Sequence, residues 1–106
     1  MSIRESDWKI FKRLRAMALE RFSQRVLDEC QEICSKRDSP AHERYGELYG
    51  LIHERNRDMA LAFDNFSRSS ALLCLQLIRM HDLLTETEVA EFSEETQSAT
   101  KVARSP

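Results

Sequence analysis

Apolar side chains recur in steps of three and four over most of this chain, and they fall into two long runs. The second run is the more regular. It passes through His42, Tyr45, Tyr49, Ile52, Asn56, Met59, Phe63, Phe66, Ser70, Leu73, Leu77, Met80 and Leu84 without a slip in phase. Such a stripe is the seam of a helix packed lengthwise on other helices, as in a coiled coil. The first run carries Trp8, Phe11, Leu14, Ala18, Phe22, Val26, Cys30 and Ile33, widened by Ile10, Met17, Leu19 and Leu27. Neither Gly nor Pro interrupts Ser6 to Arg37. That predicts one helix of about 30 residues, about 45 Å long. Asp7 suits its first turn through the helix dipole. A start at Ser2 is the alternative, because Ser2-Ile3-Arg4-Glu5 has the capping-box pattern.

Lys36-Arg37-Asp38-Ser39-Pro40 separates the runs. The basic residues suit a helix C-terminus, Ser39 can cap the next helix, and Pro40 fits its first position. So short a connection makes the two helices an antiparallel hairpin. Gly46 and Gly50 weaken the start of the second helix and leave a small-residue face near the turn. The stretch Asp64-Asn65-Phe66-Ser67-Arg68-Ser69-Ser70 is its weakest part, but the kept phase argues for continuity to Leu84. Thr85-Glu86-Thr87-Glu88 is a second capping-box pattern, followed by Val89 and Phe92. It predicts a short third helix from Glu86 to Glu95. Residues 1–95 are read as a single helical domain and residues 96–106 as a disordered tail.

A continuous second helix would outrun the first by roughly 20 Å. That overhang is apolar nearly all round, through Ala71, Leu72, Leu73, Cys74, Leu75, Leu77, Ile78 and Met80. A second copy would cover it. The expected fold class is therefore all-α: a long antiparallel helical hairpin with a short C-terminal helix, paired as a dimeric four-helix bundle. The interface residues would be Ile52, Met59, Phe63, Phe66, Leu73, Leu77 and Met80. Cover by the third helix within a monomer is the other arrangement. Asn56 and Ser70 either set the register of the seam or face water at its edge.

Composition narrows the chemistry. The chain of 106 residues has a net charge of -2, with 32% charged and 42% hydrophobic residues, which is ordinary for a globular protein. It gives no global pull toward nucleic acid or an anionic membrane. No apolar run reaches the length of about 20 residues that spans a bilayer. The start, MSIRESDW, lacks the apolar core of a signal peptide. Cys30, Cys34 and Cys74 are odd in number and do not make a closed disulfide framework. A cytoplasmic protein is the expectation, its cysteines serving as small hydrophobes.

No catalytic or metal-binding constellation stands out. His42, His53 and His81 belong to no ExxH or HExxH pattern, and no CxxC is present. The cysteines lie on or beside apolar faces, without the positive setting that a thiolate needs. Neither an enzyme nor a cofactor is expected. Arg4, Lys9, Lys12, Arg13 and Arg15 make the start of the first helix basic, with Trp8 and Phe11 interleaved. In a nucleic-acid complex, Lys9, Lys12 and Arg13 would meet phosphate. The expected function is a non-enzymatic, homodimeric protein-interaction or regulatory module whose partner the sequence does not name. The alternative is a small nucleic-acid- or ribosome-associated protein using that basic start.

Three stretches resemble a small family of uncharacterised bacterial all-helical proteins. They are Asp7-Trp8-Lys9 through Ala18-Leu19-Glu20-Arg21-Phe22, then His42-Glu43-Arg44-Tyr45, then Leu83-Leu84-Thr85 with Glu91-Phe92-Ser93. The resemblance implies a helical fold. The family has no established activity, so no functional residue follows from it.

Overall fold

The computed structural model describes residues 2–103, and every regular element among them is helical. Helix α1 spans Glu5–Cys34, a run of 30 residues. Helix α2 spans Ala41–Met59 and widens into a π turn at Ala60–Asp64. A 3₁₀ turn at Arg68–Ser70 leads into α3, Ala71–Met80. Two short helices follow, α4 at Glu86–Val89 and α5 at Glu94–Ala99.

The turn after α1 is built differently from the expectation. The last turn of α1 holds no basic residue of its own. Instead Arg44 reaches back from α2 and donates to the carbonyls of Cys34, at 2.7 Å, and Ser39, at 3.0 Å. Pro40 sits at the N-cap of α2 with extended ψ, and no side chain caps that helix. Along α1 and α2 the paired residues run in reverse order: Lys36 with Glu47 at 2.8 Å, Glu29 with Arg55 at 3.0 Å, and the rings of Phe22 and Phe63 with centroids 6.0 Å apart.

The second helix is not continuous. It ends at Asp64, Asn65 to Ser67 leave the helix, and the chain reverses there before the turn at Arg68–Ser70. Arg68 pairs with Glu5 at 2.7 Å, whereas Arg25 donates to the His81 carbonyl at 2.7 Å and Arg21 to that of Leu83 at 2.9 Å. Helix α3 therefore runs along α1 in the direction opposite to α2, and Phe63 and Leu77 lie on different helices. Short polar side chains cause the break. Ser70 donates its hydroxyl to the Asn65 carbonyl at 2.8 Å and that of Ser67 at 3.2 Å, offering the backbone partners that a helical ladder would otherwise supply.

The phase also shifts at the break. The buried stripe of α3 is Ala71, Cys74, Leu75 and Ile78. Ala71, Cys74 and Ile78 each come one position after Ser70, Leu73 and Leu77, which the unbroken seam would have turned inward. There is no overhang to cover: α3 folds back, and its Ala71, Cys74, Leu75 and Ile78 join Phe11, Leu14, Ala18, Phe22 and Phe63 in one core. The α3 terminus turns through Asp82, whose φ of 55° is left-handed, with Leu83 N–H bonded to the Ile78 carbonyl and Asp82 N–H to that of Arg79. That is a Schellman-type ending with Asp in the usual glycine place.

The capping box at Thr85 forms as its sequence predicts, with Glu88 N–H donating to the Thr85 hydroxyl at 3.1 Å. The third helix is nonetheless split into α4 and α5, and its second half extends into the expected tail. Thr96 and Thr100 are buried, so the chain there is packed rather than loose. Residues 104–106 of the expected tail lie outside the described residues.

Candidate interaction site

The expected interface residues separate into three groups. Phe63 is 4% exposed and belongs to the chain's own core, so no partner can reach it. Met59 and Leu77 are partly buried against that core. Ile52, Phe66, Leu73 and Met80 are exposed. Phe66 lies tilted against Trp8, with centroids 5.4 Å apart, and carries the Arg15 guanidinium 4.3 Å from its ring centre. It therefore closes the reversal at Ser67 rather than the middle of a bundle.

Helix α2 has no buried residue. Arg44, Glu47 and Arg55 bond to α1, and Leu48 and Leu51 between them are half-buried. The stripe of the sequence, Tyr45, Tyr49, Ile52 and Asn56, is turned away from that contact. Tyr45 is 70% exposed, Tyr49 68% and Ile52 41%. The Tyr49 ring lies parallel to His53, with centroids 6.3 Å apart. An apolar stripe with regular helical spacing is thus left unused inside the chain, at the end of the molecule that α3 does not reach.

The opposite end of α1 is held by a polar clasp. Asp7 is 1% exposed and accepts from the Ser93 backbone N–H at 2.9 Å, the Ser93 hydroxyl at 2.6 Å and the Thr96 hydroxyl at 2.7 Å. Burial pushes its carboxyl up, but these three donors and the nearby Arg4 charge outweigh that and hold it below the ordinary value. Beside it, Arg4 pairs with Glu95 at 2.7 Å and Arg13 with Glu91. Arg21 grips both oxygens of Glu88, at 2.7 and 2.8 Å. That grip, with the Thr85 N–H, lowers the Glu88 pKa from 4.5 to about 2.

Two of the basic residues at the start of α1, Arg4 and Arg13, are paired in this clasp. Of the residues expected to meet phosphate, Arg13 is ion-paired, Lys12 lies 5.8 Å from the Trp8 ring centre, and Lys9 is exposed. Arg15 donates to the Phe63 carbonyl. The role of Asp7 was hidden behind its first-turn position. Its signal was phase: Asp7 is one stripe step before Phe11, Leu14 and Ala18, so it had to point inward.

The cysteines differ from one another. Cys74 is buried and donates to the Asn65 carbonyl at 3.6 Å, Cys30 is half-buried, and Cys34 is exposed rather than a packed hydrophobe. Among the described residues, no three His, Cys, Asp or Glu side chains gather in a way that could hold a metal ion. No described helix is long and apolar enough to cross a membrane. Comparison with protein-family models, with curated proteins and with solved structures finds no match to this chain.

Proposed function

We propose that this protein is a non-enzymatic interaction or regulatory module that works as a homodimer. In this reading α1 and α2 form an antiparallel hairpin, and the outer face of α2 pairs with the same face of a second copy to build a four-helix bundle. The observation that carries it is the outward stripe Tyr45, Tyr49 and Ile52, continued by Asn56. Large aromatic and aliphatic side chains at this spacing are what a helix seam needs, and a two-fold axis lets one stripe serve both copies. Tyrosines with exposed rings are also typical interface anchors. The free thiols suit a reducing compartment, in keeping with a cytoplasmic protein. The nucleic-acid alternative has less support, because Arg4 and Arg13 are paired with Glu95 and Glu91.

Light scattering at micromolar concentration tests the reading. The expected mass is twice the 12.4 kDa of one chain. Replacing Tyr49 and Ile52 together by Glu should give a monomer with an unchanged far-ultraviolet spectrum, since neither side chain is part of the core. A wild-type mass of one chain would overturn the homodimer.

A further inference from the structure

Helix α3 stops short of the α1–α2 turn, and the space it leaves is a groove. The end of α3 is fixed at Arg21 and Arg25 by their bonds to the Leu83 and His81 carbonyls. From Arg25 to Cys34, α1 runs on for about 13 Å at 1.5 Å per residue. Over this length α1 and α2 enclose an open groove of about 700 Å³. Ile33 and Leu51 line it as its apolar residues, and the Gly50 backbone forms part of its wall. A Cβ at Gly50 would meet nothing within 4 Å. Packing inside the chain therefore does not demand glycine there, and the missing side chain keeps the groove open.

The charge of the groove is one-sided. Glu29, Glu32, Glu47 and Glu54 line it against the single cation Lys36. Lys36 is already paired with Glu47, and Arg55 with Glu29, which leaves Glu32 and Glu54 exposed on opposite walls. Glu47 and Glu54 each lie two residues along α2 from Tyr45 and Ile52. That is about 200° round a helix axis, so the groove and the outward stripe are on opposite sides of α2.

We infer that this groove docks a short basic amphipathic helix from another protein. Apolar side chains of that helix would lie against Ile33 and Leu51, and its lysines or arginines would meet Glu32 and Glu54 on the two walls. Glu29 lines both this groove and the smaller hollow beside His81 at the end of α3, so a helix placed in the groove would follow α3 along α1. Charge complementarity sets the choice of occupant, as in other grooves that take a helix by its apolar face.

The probe is a dye-labelled synthetic helix of about 12 residues, three turns, with leucines on one face and lysines flanking them. Fluorescence anisotropy with the full chain should show saturable binding that weakens as salt rises. Changing Glu32 and Glu54 together to Lys should weaken it at least about tenfold. Gly50→Leu should do the same by filling the groove, with the thermal melt unchanged or raised, which separates a blocked groove from an unfolded arm. The Tyr49→Glu, Ile52→Glu double variant should bind the probe like wild type, so the groove and the homodimer stand or fall separately. Equal binding of a probe with glutamates in place of the lysines would overturn the proposal, as would no loss of affinity in Gly50→Leu. A concentration-dependent mass increase that only Gly50→Leu abolishes would also overturn it, because a second copy would then be the occupant.

Discussion

The block around Phe11 and Phe63 and the arm beyond Arg25 are made from the same two helices, yet they are held by different forces. In the block, α1, the end of α2, α3 and the C-terminal segment share a core in which Phe11, Leu14, Leu75 and Ile78 are each 1% exposed. In the arm, Ile33 is buried but stands outside that core, and α2 contributes no buried residue. Lys36–Glu47, which is exposed, and Arg55–Glu29, which is half-buried, join the arm at the surface. Surface pairs of this kind are worth about 0–1 kcal/mol each, against about 1.5–3 kcal/mol for burying one large apolar side chain. The arm is thus stable chiefly because its helices are rooted in the block. It is also where the outward stripe and the groove lie. A region with few buried contacts is the one that opens first and the one best placed to gain from a partner.

The largest effect expected from this contrast is a pair of truncations. Phe63→Ala removes a buried ring from the block and should cost about 3–5 kcal/mol. Leu51→Ala, in the arm, should cost about 1 kcal/mol, near the average for a point change. Urea melts of the two variants measure both. Equal losses would mean that the arm is a full part of the core. Phe66→Ala should fall near the Leu51 value, because its ring is half in water and only closes the reversal over Trp8.

Acid should act on the block through two carboxylates, Glu88 and Asp7. Glu88 titrates at about 2 in the folded chain against 4.5 as a free group. Its folded value is depressed, so its contribution is complete above pH 4.5 and is lost as the pH falls from 4.5 toward 2. Asp7 shifts in the same direction and adds to the same loss. The Glu88 share should be on the order of 2 kcal/mol once water around the partly exposed Arg21 is allowed for. Thermal melts between pH 6 and pH 3 should therefore fall more steeply for wild type than for Glu88→Gln. Matching acid limbs in the two proteins would remove the Arg21–Glu88 grip from the account.

Much of the fold was legible because α1 obeys its pattern. Phe11, Leu14, Ala18 and Phe22 form the stripe that the sequence announces, and Thr85 with Glu88 forms its capping box. The error in the second half has a physical origin. Phe63 and Phe66 keep a spacing of three, and Ser70, Leu73 and Leu77 continue it, so one stripe reads through a loop by chance. Competing signals were present in Ser67, Ser69 and Ser70, and in the off-seam Leu75 and Ile78, which prove to be the buried residues. The candidate site was half legible. The stripe alone points to Ile52 as an interface residue. That Tyr45 and Tyr49 share its face, turned away from α1, depends on which residues α1 takes up, and α1 takes Arg44, Glu47 and Arg55 through charge, with Leu48 and Leu51 half-buried beside them. The buried carboxylate of Asp7 was equally hard to read, because its donors, Ser93 and Thr96, lie at the far end of the sequence.

The smallest effect is the sharpest test of whether block and arm are separate. Gly46 lies inside α2, in helical backbone, and a Cβ there would meet nothing within 4 Å. It is also absent from the lining of the groove, so changing it leaves the docking surface alone. Gly46→Ala should therefore stabilise α2 by about 0.5–1 kcal/mol, through lower backbone entropy in the unfolded chain and better helix propensity. Where that gain appears is the informative part. If the arm opens on its own, amide hydrogen exchange along α2 should slow about two- to fivefold, while the urea midpoint of the whole chain barely moves. If the arm and block unfold together, the same gain should appear in the global midpoint. In that case the two ion pairs and Ile33 couple the halves more tightly than their exposure suggests, and the contrast between block and arm would describe burial only, without marking separate units of stability.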